Sequence, residues 1–209
     1  MCQISITMKT FAILLFATLP CFAQESLTAK ADLSNWAFES NEGPEAAQKS
    51  WKLEDGVLST TGKPTGFIRT MESFENYTLT LEWRWLPGTE NGNSGLLVHA
   101  GETGEGKTWP PCFEPQLQQN SAGDIWMIGG KLEATGKNEG DRWHRTADPK
   151  EKPVGEWNTM TVVCKDDTLT IHVNGTLVNE AKKLSRTSGS IALQSEGAPI
   201  QFRNIILKD

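Results

Sequence analysis

The sequence contains few cysteines and, beyond its N-terminal segment, no long apolar run. Four of its 209 residues are cysteine, and two of these, Cys2 and Cys21, lie in the N-terminal segment. Cys112 and Cys164 are far apart in the chain and do not define a disulfide scaffold, so a single disulfide and two free thiols both stay open. No Cys/His spacing typical of zinc is present. No later apolar segment is long enough to span a bilayer, so we expect no membrane insertion.

Basic residues are also in the minority. Lys and Arg number 20 against 26 Asp and Glu, which gives a formal net charge of −6. An acidic chain repels the phosphates of nucleic acids and the headgroups of anionic membranes, so neither is an expected partner. The oligomeric state stays open.

The first 23 residues have the pattern of a signal peptide. Lys9 supplies a positive charge, residues 11–19 form a short apolar run, and Ala23 is the small residue that signal peptidase accepts. We therefore predict cleavage between Ala23 and Gln24 and a mature protein that is secreted or periplasmic. Lipid attachment at Cys21 fits poorly, because Pro20 precedes it. Residues 24–209 are long enough for a single domain with a buried core.

Helical periodicity is nearly absent, apart from one helical turn predicted at residues 45–49. Residues 77–85 alternate instead between apolar and polar side chains, which is typical of a half-buried strand. Asp55-Gly56 and Asn174-Gly175 separate short strands in the manner of tight hairpin turns. This pattern predicts an all-β protein, a sandwich of two antiparallel sheets with more than ten strands in total.

Tyrosine is represented by Tyr77 alone, whereas tryptophan is abundant, with eight residues. The broad indole face and its N–H group suit stacking on sugar rings. Most of these tryptophans are expected in the core, but Trp109, Trp126 and Trp143 lie in stretches rich in glycine and charge. Two of them belong to the polar segment 120–153. We predict that this segment is a functional loop, because ordered loops of that length are uncommon inside a compact domain.

Polar side chains recur at every second position of three predicted strands. They are mostly Glu and Gln, whereas exposed strand faces more often carry Thr, Lys and mixed charges. This choice of residues favours a concave sugar-binding face, and the alternative is an ordinary solvent-exposed face. The residues are Glu82 and Arg84; Glu114, Gln116 and Gln118; and Gln194 with Glu196.

Eight short segments follow one another along nearly the whole mature chain, from about Trp51 to Lys208, and together they form a characteristic pattern. They are Trp51-Lys-Leu-Glu-Asp-Gly-Val-Leu, Tyr77-Thr-Leu-Thr-Leu-Glu-Trp-Arg, Asn91-Gly-Asn-Ser-Gly-Leu, Phe113-Glu-Pro-Gln-Leu, Gly155-Glu-Trp-Asn, Val173-Asn-Gly, Ile191-Ala-Leu-Gln and Phe202-Arg-Asn-Ile. Read together, these segments resemble the 3-keto-disaccharide hydrolase family. The resemblance implies a concanavalin A-like jelly roll and a substrate sugar oxidised at C3.

Such a substrate can be cleaved by elimination. A ketone at C3 acidifies the hydrogen on C2, so a base can remove that proton and form an enolate. The enolate then expels the glycosidic oxygen from C1, and water adds back to complete net hydrolysis. This chemistry requires a base, a stabiliser for the enolate oxygen and an acid for the leaving group.

The resemblance and the strand pattern together give candidate catalytic residues. We predict Glu114 as the base, Arg84 as the group that holds the enolate oxygen, and His99 or Glu196 as the acid. Two departures from the family pattern bear on these roles, since His99 stands where an arginine is expected and Glu196 stands where a histidine is common before the glycine. No ligand spacing requires a metal, and assistance by a divalent cation stays open. Predicted substrate-binding residues are Glu82, Asn93, Gln116, Gln118, Trp126, Trp143, His144 and Gln194.

Two other functions fit the same fold. A lectin-like sandwich would bind carbohydrate without cleaving it, because fold alone does not decide function. A laminarinase-type glycosidase would carry three acids in a Glu-x-Asp-x-x-Glu pattern. The corresponding strand here, Glu114-Pro-Gln-Leu-Gln, has one acid. The keto-sugar hydrolase is therefore the favoured hypothesis.

Overall fold

The computed structural model describes residues 24–208, which form seventeen β-strands and one short helix. The helix α1 spans Pro44–Ser50. The strands are β1 Gln24–Ser26, β2 Trp36–Ser40, β3 Trp51–Glu54, β4 Val57–Thr60, β5 Gly66–Thr70, β6 Tyr77–Trp85, β7 Leu96–Ala100, β8 Cys112–Pro115, β9 Ile125–Ile128, β10 Glu133–Ala134, β11 Asn138–Glu139, β12 Arg142–Trp143, β13 Asn158–Lys165, β14 Thr168–Val173, β15 Thr176–Lys182, β16 Ser190–Ser195 and β17 Ile200–Lys208.

The predicted signal peptide, residues 1–23, and the cysteine at position 21 lie outside the described residues. Within residues 24–208, no helix has the length and apolar character needed to cross a bilayer.

Two antiparallel sheets pack into a jelly-roll sandwich. The back sheet has nine strands in the order β10-β15-β14-β13-β6-β17-β4-β3, with β1 beside β17. The front sheet has eight strands in the order β11-β12-β9-β8-β7-β16-β5-β2. The predicted fold class is therefore confirmed, as is the prediction of more than ten strands.

Strand β6 shows how alternation creates the core. Leu79, Leu81 and Trp83 are fully buried between the sheets, whereas Glu82 and Arg84 lie half-buried on the outer face. Burial of one large apolar side chain contributes roughly 1.5–3 kcal/mol. A slip of one residue would turn this whole set to solvent, so the pattern fixes the register of β6.

Two tight hairpins form where the sequence predicts them. Asp55 and Gly56 join β3 to β4, and Asn174 and Gly175 join β14 to β15. All four residues have positive φ angles, between 48° and 80°. Type I′ turns require this conformation at both central positions, and Asx-Gly pairs adopt it at low cost.

The two cysteines of the described chain are buried and free. Cys112 belongs to β8 of the front sheet and Cys164 to β13 of the back sheet. The free-thiol alternative is therefore the one that the fold adopts.

The segment 120–153 is more ordered than a single loop. It contains the four short strands β9 to β12. Strands β9, β12 and β11 extend the front sheet beyond β8, whereas β10 pairs with β15 of the back sheet. The apolar run Ile125-Trp-Met-Ile is the sequence signal for the first of these strands.

Candidate functional site

The outer face of the front sheet has an apolar floor that is separate from the sandwich core. Its residues are almost fully buried because side chains from neighbouring loops cover them; the rings of Trp109 and Phe67, for example, have centroids 6.2 Å apart. We call this surface the site face. The floor consists of Phe67, Leu97, Ala100, Cys112 and Ala192, with Trp109 and Ile128 packed against them.

The register of three neighbouring strands brings polar groups onto this floor. Ala192 of β16 is the partner of Leu97 in β7, and both belong to the floor. In β8, Phe113 points into the core, so Glu114 beside it points to the site face. Gln194 follows Ala192 by two positions and therefore shares its face. Glu114 and Gln194 meet there, and the Gln194 side chain lowers the pKa of the Glu114 carboxyl group.

Gly95 provides the space in which these two side chains meet. A β-carbon at this position would collide with Oε1 of Glu114 and would lie 2.7 Å from Oε1 of Gln194. Any larger residue would displace the carboxyl group. The backbone here is held firmly, because the Gln194 N–H donates to the Gly95 carbonyl at 3.0 Å and the Ser94 hydroxyl donates to the Gln194 carbonyl at 2.9 Å.

A second carboxyl group, that of Glu196, lies beside Glu114 just beyond the end of β16. Its backbone forms a bridge with Asn93, and the Asn93 side chain lowers the pKa of the Glu196 carboxyl group. The site thus contains two carboxyl groups, each with an amide side chain beside it.

Burial separates the pKa values of these two acids. Glu114 is only 5% exposed, and this burial, followed by the nearby charge of Glu196, raises the Glu114 pKa to about 8, against a smaller lowering by the Gln194 hydrogen bond. Burial also raises the pKa of Glu196, while the Asn93 hydrogen bond lowers it. Because Glu114 is the more deeply buried acid, Glu196 ionises first. Between the ionisation of Glu196 and that of Glu114 near pH 8, the pair holds one proton, on Glu114.

An aromatic residue and a buried ion pair flank the carboxyl pair on the β9 side. Trp126 is the register partner of Glu114, and Arg142 of β12 is the register partner of Trp126. The guanidinium carbon of Arg142 lies 5.6 Å from the Trp126 ring centroid. Arg142 Nε donates to Asp124 at 2.7 Å, and Asp124 is only 2% exposed. The Arg142 side chain is therefore locked in place beside the ring.

His144 and Arg145 complete this flank. The Arg145 backbone N–H donates to Asp124 Oδ1 at 2.9 Å. His144 Nδ1 lies 3.4 Å from Asp124, and its Nε2 lies 2.8 Å from Glu139. These groups border a pocket of about 420 Å³ at the edge of the site face.

Glu82 and Arg84 do not belong to this site. They lie on the outer face of the back sheet, where Glu82 pairs with Arg203 and Arg84 donates to Gln201 at 2.8 Å. Arg84 and Arg203 both lie against the Trp157 ring, at 4.5 and 4.2 Å from its centroid. The prediction that these residues share one surface with Glu114 is wrong. Alternation shows which residues share a face of one strand, but not which sheet the strand joins.

His99 is also placed elsewhere. Its φ of 53° marks a bulge in β7, where the pairing with β16 shifts between Ser190 and Ala192. A bulge interrupts the regular alternation of a strand, so a side chain at the bulge can point to the opposite face of the sheet. His99 therefore points into the interior, fully buried, with its ring 5.8 Å from that of Tyr77. It does not line the site face.

Three other predicted substrate-binding residues, Gln116, Gln118 and Trp143, lie outside the site face or serve the turn after β8. Gln116 is 4% exposed, and its Oε1 accepts the N–H groups of Leu117 and Gln118, so it caps the turn after β8. Gln118 lies in that turn, beyond the end of the strand. Trp143 faces away from Arg142 and lines a different groove, together with Thr170 and other residues of the back sheet. Of the two tryptophans predicted to bind substrate, only Trp126 lies on the site face.

Gly95, Asp124 and Arg142 also shape the site, although none of them belongs to the predicted set. The sequence does contain a signal for two of them, because Asp124 alternates with Trp126 and Arg142 with His144 at the spacing of a strand face. In the part of the chain that the structure describes, no group of three or more His, Cys, Asp or Glu side chains is arranged to hold a metal ion.

The fold and the site together define a class. An antiparallel sandwich that carries paired acids, amides and an aromatic ring on one sheet face is typical of proteins that bind or cleave carbohydrates. Within that class the chain belongs to a particular family, that of the 3-keto-alpha-glucoside-1,2-lyase-like domain, whose model matches residues 24–208.

Solved structures share the fold. Two candidate glycosyl hydrolases of Parabacteroides distasonis superpose with TM-scores of 0.66 and 0.68 at 23% and 22% identity, covering 88% and 89% of this chain and 98% and 93% of theirs. The carbohydrate-binding module CBM66 of Bacillus subtilis superposes with a TM-score of 0.61 at 12% identity, covering 84% of this chain and 96% of its own. No curated protein sequence is significantly similar to this chain.

Proposed function

We propose that this protein cleaves glycosides whose sugar ring carries a ketone at C3, by elimination across C1 and C2 and subsequent addition of water. The observation that carries this proposal is the carboxyl pair of Glu114 and Glu196, whose pKa values burial drives apart on the site face. Membership in the keto-glucoside lyase-like family supports it.

The order of ionisation assigns the two roles. Two acids with separated pKa values form a natural base and acid pair. Glu196, ionised first, takes the proton from C2, and the electrons of that bond form the enolate. As the enolate collapses, the C1–O bond breaks and Glu114 gives its proton to the departing oxygen. This reverses the role that the sequence favoured for Glu114, because Glu196 is the less buried of the two acids and ionises first.

The enolate oxygen needs hydrogen-bond donors. Arg84 and His99 lie elsewhere in the fold, so neither can supply them. The amide groups of Asn93 and Gln194 are the donors placed beside the carboxyl pair. Neutral donors held by the backbone network of β16 can stabilise a developing charge without reorganisation.

The proposal is tested with one substrate pair. We expect the purified protein to cleave a 3-keto-glucoside and to leave the unoxidised parent glucoside intact, because only the ketone acidifies the C2 proton. Product analysis by mass spectrometry follows both reactions. Binding of the keto sugar without any turnover would instead support the lectin-like alternative, and cleavage of the parent would support an ordinary glycosidase.

The pH dependence of kcat/KM should be bell-shaped. The rate rises with pH as Glu196 ionises, and it falls above about pH 8 as Glu114 loses its proton. The variant Glu196→Gln should lose the rising limb and most of the activity. Steady-state rates between pH 5 and 10 would check this. A wild-type rate that increases through pH 8 would show that Glu114 acts as the base and would overturn the assignment.

We also propose that the mature chain works outside the cytoplasm, as a secreted or periplasmic protein. The charge, apolar run and small residue that precede Gln24 support this. N-terminal sequencing of the exported form should begin at Gln24, and an exported form that still carried Met8 would contradict the proposal.

A further inference from the structure

The polar pocket beyond Trp126 has no role in the steps derived above. Its volume of about 420 Å³ lies in the lower part of the range for small-molecule sites. It opens between the turn that follows β8 and the residues that follow β12. Its lining includes Asn120, Asp124, Arg142, His144, Arg145 and Asp148.

The pocket lies on the same face of the front sheet as the carboxyl pair, because Arg142 lines it. Glu114, Trp126 and Arg142 are successive register partners on β8, β9 and β12. Neighbouring strands are about 4.8 Å apart, so Arg142 lies about 10 Å from Glu114 across the sheet. A ligand that reaches from one to the other passes over Trp126.

The lining points to a neutral ligand rich in hydroxyl groups. Arg142 and Arg145 both contact Asp124, and Glu139 contacts His144. Asp148 adds a second carboxylate to the lining. Because two guanidinium groups and two carboxylates balance in formal charge, the pocket does not select a charged ligand. Eight of the nine lining residues are polar, so the pocket does not suit an aromatic group either. Fixed donors and acceptors of this kind match the hydroxyl groups of a sugar ring.

The position of the proton donor fixes which sugar lies there. The oxidised ring must lie at the carboxyl pair, since its C1 and C2 react there. Glu114, which protonates the leaving oxygen, is the acid next to Trp126, whereas Glu196 lies at the end of β16, on the far side from the pocket. The leaving group therefore extends over Trp126 towards the pocket. We infer that this pocket is the binding site of the departing sugar, an inference that rests on the proposed function.

Two exposed lining residues allow a test that spares the fold. Asn120 has a φ of 65°, so Asn120→Gly removes the amide and keeps the backbone conformation. Asp148→Asn removes a charge but retains the oxygen that accepts the Lys150 N–H at 2.9 Å. The matched control is Asn204→Gly on the back sheet, where Asn204 is exposed and has a φ of 51°.

The probes are a disaccharide of 3-keto-α-glucose and glucose, and methyl 3-keto-α-glucoside, which lacks the departing sugar. For the disaccharide, each pocket variant should lower kcat/KM about tenfold, because each variant loses about one hydrogen bond to the departing sugar. For the methyl glucoside, kcat/KM should stay within about twofold, and the control should change neither. Equal losses on both substrates, or no loss on the disaccharide, would overturn the inference while the proposed function stands. Failure of the wild-type protein to cleave either keto sugar would overturn the proposed function, and with it the inference.

Discussion

The variant Glu114→Gln is expected to lower kcat for a 3-keto-disaccharide by roughly 100-fold or more, with substrate binding retained. Gln keeps the shape of the side chain and can still hydrogen-bond, but it has no proton to give to the leaving oxygen. Loss of a general acid typically costs about 100- to 10,000-fold. The loss should be much smaller for 4-nitrophenyl 3-keto-glucoside, because nitrophenolate departs without protonation. Steady-state kinetics on both substrates, with calorimetry for binding, would measure this.

The chain offers a matched control for that variant. Glu82→Gln makes the same change on the outer face of the back sheet, where Glu82 pairs with Arg203 rather than with the site. It should leave kcat unchanged on both substrates. If Glu114→Gln loses equal activity on the disaccharide and the nitrophenyl glucoside, Glu114 acts before the leaving group departs, as the base. If it loses no activity, Glu114 has no catalytic role.

The same substitution should stabilise the protein at high pH. The folded-state pKa of Glu114 is about 8, against 4.5 for an ordinary glutamate. Between these values the folded state binds more protons than the unfolded state, so stability decreases as pH rises from about 4.5 to about 8. The loss at pH 9 amounts to about 5 kcal/mol at most. Gln cannot ionise, so the variant avoids this cost.

Thermal unfolding would reveal the effect as a difference between two pH values. At pH 9 the Tm of Glu114→Gln should exceed that of the wild type by roughly 10 °C. Near pH 5, where Glu114 is protonated in the folded protein, the two Tm values should nearly coincide. Glu82→Gln again serves as the control. A Tm difference that is the same at both pH values would show that Glu114 titrates normally.

These two predictions depend on one physical cause. The environment that keeps Glu114 protonated at neutral pH, and so able to serve as an acid, is also the environment that makes its ionised form costly. An inactive variant that is more stable than the wild type at pH 9 would support both. The space that Gly95 leaves for the carboxyl group is part of this environment.

Local features of the fold follow from the sequence alone. The alternation of residues 77–85 determines which side of β6 faces the core, because side chains of a strand point to opposite faces in turn. The Asp55-Gly56 and Asn174-Gly175 pairs determine two hairpins, because few residues tolerate positive φ angles in succession. These interactions act within a few residues, so the sequence contains all the information that specifies them.

The composition of the site was decided by tertiary structure. Glu82 and Glu114 occupy equivalent positions in alternating strands, yet β6 joins the back sheet and β8 the front sheet, so only Glu114 reaches the site face. One bulge turns His99 into the interior, and one position along β12 separates Arg142, on the site face, from Trp143. The pKa of Glu114 depends on burial by strands that are distant in sequence. Sequence specified which residues could share a face, but strand pairing and burial decided which of them meet, because both depend on contacts between distant parts of the chain.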